Sequence, residues 1–115
     1  MQTDIQSRSF SLTNALKEYA KQKLESSLSS CEDHLQQVVV RLSDINGPKG
    51  GKDKLCHIQV VLAGMPDVVI DDTEEDMYAA IDRATERAGL TVVRKVDRQQ
   101  TLQRQDRQKL SHASL

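Results

Sequence analysis

Apolar positions recur with two different periods along the chain, and the switches between them divide it into elements. Residues 2–10 are mostly polar, with Ile5 and Phe10 as apolar anchors, and read as a strand. Leu16, Ala20, Leu24 and Leu28 then fall at i, i+4 intervals with Tyr19 beside them. That is a single apolar stripe on a helix of about four turns. Thr13 stands where its hydroxyl can take an orphan N–H as N-cap, and Ser26-Ser27 with Ser29-Ser30 weaken and end the helix. From Leu35 the period shortens. Val38, Val39, Val40 and Leu42 predict a strand over residues 36–43. A loop follows at Asn46-Gly47-Pro48-Lys49-Gly50-Gly51. Cys56, Ile58, Val60 and Leu62 alternate with Leu55, His57, Gln59 and Val61 as the next strand. Gly64-Met65-Pro66-Asp67 has the chemistry of a tight turn leading to a short third run, Val68-Val69-Ile70, so the two strands form a hairpin.

The last element opens on carboxylates. Thr73 with Asp76 three residues on resembles a capping box, and acidic residues in a first helical turn suit the macrodipole. Met77, Ala80, Ile81, Ala84 and Ala88 carry the helical period. Gly89 and β-branched Thr91, Val92 and Val93 predict a kink before the pattern resumes through Val96. After Gln99 the chain is rich in Gln, Arg, Lys and Ser and reads as a fraying tail. The order β-α-β-β-β-α predicts a two-layer α+β sandwich: one four-stranded, antiparallel-rich sheet with both helices on one face and the other face open to solvent. Double-stranded RNA-binding domains share this order, but a shared architecture does not assign function. Residues 1–98 form the expected domain and residues 99–115 a flexible basic tail.

Composition narrows the possibilities. The 115 residues suit one domain, and with 37% hydrophobic but only 3% aromatic residues and no Trp the core must be aliphatic. Recognition of nucleic acid by base stacking is disfavoured for the same reason. Met1 is followed by polar Gln2, Thr3 and Asp4, so no secretory signal is expected, and no apolar run approaches the roughly 20 residues of a membrane helix. Two cysteines, Cys31 and Cys56, make no disulfide framework. A cytoplasmic protein follows as the expectation. The net charge of −1 conceals a strong polarisation: residues 1–66 carry +1, residues 67–82 carry −7, and residues 83–115 carry +5.

Enzymatic signals are weak. Phosphate-loop and dinucleotide fingerprints are missing, and Gly47, Gly50 and Gly51 lie between strands rather than before a helix. The run Asp71-Asp72-Thr73-Glu74-Glu75-Asp76 lacks the spacing and central Gly of a calcium loop. Cys31 and His34 have half-site zinc spacing, but Cys56 and His57 are adjacent, and strand neighbours point to opposite faces. A Cys31/His34/Cys56 metal site is the only enzymatic alternative these residues leave, and the expectation is a non-enzyme with neither metal nor cofactor. The basic C-terminal helix is the stronger signal. Arg83, Arg87, Arg94, Lys95 and Arg98 lie in it, followed by Arg104, Arg107 and Lys109. Arg83–Arg87 and Arg94–Arg98 are i, i+4 pairs, and Lys17, Lys21 and Lys23 extend the stripe if the helices lie side by side. A basic stripe across two helices binds phosphate backbone without reading bases.

Glu75-Asp76-Met77-Tyr78-Ala79-Ala80-Ile81-Asp82 resembles the D-M-Y-x-A-I-D signature of the ribosome hibernation promoting factor family, also called ribosome-associated inhibitors or sigma-54 modulation proteins. Thr13-Asn14-Ala15-Leu16-Lys17-Glu18-Tyr19 is similar to that family's first-helix opening, and the resemblance covers roughly residues 1–98. It implies a β-α-β-β-β-α fold and binding to small-subunit ribosomal RNA in the messenger and transfer RNA channel, blocking initiation on idle ribosomes. Matched position by position, Lys23 falls on a basic site of the first helix, and Arg87, Arg94 and Arg98 on basic sites of the second. Arg83 and Lys95 are basic here without a firm family equivalent, and Leu90 stands where the family usually has Arg. Tyr78 is expected to pack its ring at the sheet–helix edge. At this length the chain resembles the short forms, so pairing of ribosomes through an extra C-terminal domain is not expected. A diverged protein-interaction module, using the open sheet face or the acidic segment 67–76, is the alternative reading.

Overall fold

The computed structural model describes residues 2–8, 12–44 and 53–113, with side chains described as far as residue 102. In chain order the elements are β1 (Gln2–Arg8), α1 (Asn14–Leu28), a 3-10 segment (Ser29–His34), β2 (Leu35–Asp44), β3 (Lys54–Leu62), β4 (Val68–Glu74) and α2 (Met77–Ala113). The four strands form one mixed sheet in the order β1-β2-β3-β4. β1 pairs in parallel with β2 across the α1 crossover, and β2, β3 and β4 pair antiparallel. The expected α+β sandwich is therefore the fold of this chain. Ser9, Phe10 and the loop Asn46-Gly47-Pro48-Lys49-Gly50-Gly51 lie outside the described residues.

Thr13 caps α1, its Oγ1 accepting from the Leu16 N–H at 3.2 Å. Ala20, Leu24 and Leu28 are buried, as the i, i+4 stripe requires. They meet Val38, Val40 and Leu42 of β2, Cys56, Ile58 and Val60 of β3, and Val68 and Ile70 of β4. From α2 come Met77, Ala80, Ile81, Ala84, Ala88, Val92 and Val96. Every cluster member is aliphatic or sulfur-bearing, and alanines predominate along α2 because small side chains let a helix lie close on a sheet. Thr85 is buried among them and turns its hydroxyl back onto the Ile81 carbonyl at 2.7 Å.

Three sequence expectations are corrected. The third hairpin run does not stop at Ile70: β4 continues to Glu74, with Asp72 opposite Cys56 and Glu74 opposite Lys54. Thr73 is thus a strand residue and not a helix cap; α2 begins at Met77, and the Asp76 carbonyl accepts the Ala80 N–H at 3.0 Å. No acidic residue occupies its first turn. Nor does the helix break at Gly89. It runs on because Val92 and Val96 remain buried against the sheet, and packing outweighs the weak local propensity. The helical backbone continues beyond Gln99 to Ala113.

Candidate nucleic-acid interface

Gly89 has a packing role that propensity alone conceals. A Cβ at this position would lie 2.8 Å from the Ser27 carbonyl oxygen and 3.1 Å from the Ser27 Cβ. Glycine is what allows α2 to approach the last turn of α1. The two helices therefore lie side by side, as a two-helix surface requires. A groove of about 580 Å³ runs between them, lined by Lys23, Ser26, Ser27, Asp82, Leu90 and Val93 among others.

A polar cluster pins the helices further toward the start of α2. Tyr19 and Lys23 are i, i+4 on α1, Tyr78 and Asp82 are i, i+4 on α2, and all four converge. The Tyr19 hydroxyl donates to Asp82 at 2.5 Å, and its pKa is held above the ordinary value because ionisation would lose that hydrogen bond, charge a partly desolvated oxygen and set it against the carboxylate. The Tyr19 and Tyr78 rings meet edge to face, with centroids 4.8 Å apart. Tyr78, 39% exposed, therefore packs its ring against α1. Lys23 lies 3.5 Å from Asp82, with its ammonium 5.6 Å from the Tyr19 ring centroid.

The arginines of α2 divide into two groups. Arg83 is paired to Glu74 at 2.9 Å. Arg87 donates to the Asp72 carboxylate and to the Asp71 carbonyl, both at 2.9 Å. Both partners lie on the helix-facing side of β4, and both are the more buried member of their pair: Glu74 and Asp72 expose 16% and 13% of their side chains against 64% and 54% for the arginines. The acidic segment thus neutralises the first two basic residues of the helix. Among the described residues none of Arg94, Lys95 and Arg98 forms an ion pair with a carboxylate.

The expected stripe is thus a graded surface. Its first half (Lys23, Arg83 and Arg87) is occupied by Asp82, Glu74 and Asp72, while in its second half Arg94 and Arg98 are exposed and Lys95 is half-buried. Lys17 and Lys21 are exposed on α1. Asp82 and Gly89 organise this surface, and neither stands out in the sequence as a site residue. The matching i, i+4 spacing of the two tyrosines with Lys23 and Asp82 was legible, but their meeting across 63 residues was not. Leu90 is 53% exposed at the groove between the helices. Among the described residues no group of three His, Cys, Asp or Glu side chains is placed to hold a metal ion. Burial pushes the Cys56 thiol up to about 12, which makes it a poor ligand and a poor nucleophile.

Comparison with known proteins bears on the family and the fold. Residues 3–100 match the family described as sigma 54 modulation protein / S30EA ribosomal protein. A search of curated proteins finds no significant match. The N-terminal domain of Protein Y from Thermus thermophilus is 32% identical with a TM-score of 0.69, over 82% of this chain and 98% of that one. A ribosomal subunit interface protein from Coxiella burnetii is 20% identical with a TM-score of 0.72, over 84% of this chain and 99% of that one, a likeness of fold. With the family matched over most of its length, the chain belongs to the sigma-54 modulation/hibernation family of non-enzymatic, ribosome-associated translation regulators.

Proposed function

We propose that this protein binds the RNA of the small ribosomal subunit, in the channel used by messenger and transfer RNA, and keeps idle ribosomes inactive in the cytoplasm under stress. The observation that carries this reading is the cationic second half of α2. There Arg94 and Arg98 are exposed and Lys95 is half-buried on a helix already packed against the sheet, without acidic partners among the described residues. Lys23, Arg83 and Arg87 complete the surface by exchanging a carboxylate for a phosphate. The Lys23–Asp82 pair is exposed on both sides, and pairs of that kind are worth about 0–1 kcal/mol, so that exchange costs little. Contacts to phosphate and sugar suffice for a domain that reads shape, and the scarcity of aromatic residues fits a mode without base stacking.

Co-sedimentation with purified small subunits at low and high salt tests the reading. Binding should be lost at high salt, because phosphate contacts release counterions. Replacing Arg87, Arg94 and Arg98 together with Glu should abolish it at low salt, and unchanged sedimentation of that variant would exclude the assigned surface. A second reading, a diverged protein-interaction module, is favoured by exposed Leu90 and by the neutralised Arg83 and Arg87. Recovery of a protein partner without ribosomal RNA in a pull-down would select it.

A further inference from the structure

The open face of the sheet, opposite the helices, carries a second cationic site. Strand register builds it. Parallel pairing sets Gln6 beside Arg41 and Arg8 beside Ser43, and antiparallel pairing sets His57 beside Arg41. Alternation along each strand turns all five side chains away from the helices. They surround a cavity of about 330 Å³, with Leu55 as its apolar member. Arg8 and Arg41 are exposed diagonal neighbours on adjacent strands, within reach of one ligand.

The nearby carboxylates are already engaged. Asp4 accepts from Gln6 at 2.7 Å, and Asp71 holds His57 through Nδ1 at 2.5 Å. That contact fixes the imidazole at the cavity wall. Among the described residues neither guanidinium has an anionic partner, so two like charges share one concavity without a counter-ion. Such an arrangement is relieved by a bound anion.

We propose that this cavity binds a phosphate oxyanion, held by the guanidinium forks of Arg8 and Arg41, with Gln6 and Ser43 completing the contacts and His57 and Leu55 forming the wall. Planar guanidinium groups match phosphate oxygens two at a time. Among the described residues no Phe or Tyr ring lines the cavity, which favours recognition of the phosphate over a base. Its volume is at the lower end for ligand sites and suits a diphosphate-sized anion. Two sources share this chemistry: the polyphosphate of a free nucleotide and the backbone of an RNA.

Amide chemical-shift titration of the full chain separates them, with inorganic pyrophosphate and a short single-stranded RNA as the two probes. Pyrophosphate should give saturable shifts at residues 6–8, 41–43 and 57 while the amides of α2 stay in place. Arg8→Gln and Arg41→Gln should each weaken it roughly tenfold or more, the loss expected for a charge-assisted contact. Both substitutions are on exposed strand positions, and unchanged spectra elsewhere will show the fold intact. RNA that displaces pyrophosphate from these amides identifies the backbone as the source. RNA that shifts α2 alone assigns the cavity to free phosphates. Absence of saturable shifts at the sheet face, or an affinity in both glutamine variants unchanged from the parent protein, overturns the proposal, and neither result bears on the helical surface.

Discussion

One added methyl group, Gly89→Ala, tests whether the helices approach as closely as the two-helix surface requires. In an unconstrained helix interior this substitution stabilises by about 1 kcal/mol. Here the new Cβ would lie 2.8 Å from the Ser27 carbonyl oxygen. That oxygen is backbone and cannot swing aside as a side-chain tip does, so one helix must move. Overpacking of this kind costs about 1–3 kcal/mol, and contact with a fixed backbone atom places it in the upper half of that range. The net expectation is a destabilisation of about 1–2 kcal/mol. At about 4–8 °C per kcal/mol for a domain of this size, the midpoint should fall by roughly 5–15 °C. Thermal unfolding followed by circular dichroism measures it, with amide shifts at Ser26, Ser27 and Val93 reporting the displaced helix. A midpoint equal to or above that of the unsubstituted protein would refute close packing at Gly89.

Charge reversal should separate the two groups of arginines. Arg83→Glu and Arg87→Glu set carboxylates against Glu74 and Asp72 and should each lower stability by about 1 kcal/mol; Arg94→Glu and Arg98→Glu should change it by less than about 0.5 kcal/mol, so equal effects in urea unfolding would contradict the grading of the surface. Tyr19 is one of only two tyrosines, and its hydrogen bond to Asp82 raises its pKa above 10.0. Because the folded state favours the neutral phenol, that contribution to stability is complete below pH 10.0 and disappears as pH rises through the higher folded value. Ultraviolet titration should show one tyrosine ionising late and returning toward normal in Asp82→Asn; two coincident titrations would deny the contact. Cys56, with its thiol pushed up to about 12 by burial, should resist thiol reagents at neutral pH until the protein unfolds. In a Cys31→Ser background, rapid labelling of the native state would contradict its placement in the core.

The sequence showed most of the fold because each buried surface had one clear period. The stripe Leu16-Ala20-Leu24-Leu28 and the alternation Cys56-Ile58-Val60-Leu62 identify their elements unaided. β4 was harder, because its inward positions change from Val68 and Ile70 to Asp72 and Glu74. Period-2 alternation persists there while polarity reverses, and a run of carboxylates resembles a helix start. Those acids face the helix because Arg83 and Arg87 arrive from α2, a contact no local pattern encodes. Gly89 was misread for the same reason: locally it is a helix breaker, and only the neighbouring Ser27 carbonyl gives it a purpose. For the candidate site, the residue types were legible and their electrostatic state was not. All six basic residues stood out, but which were already paired depended on three carboxylates on other elements or other faces.

Sedimentation of stationary-phase lysates through sucrose gradients at low and high salt tests ribosome binding most directly. The tagged protein should travel with fractions containing the small subunit at low salt and return to the top of the gradient at high salt. Protein that stays at the top at low salt, or remains on ribosomes unchanged at high salt, would contradict a phosphate-bound hibernation factor.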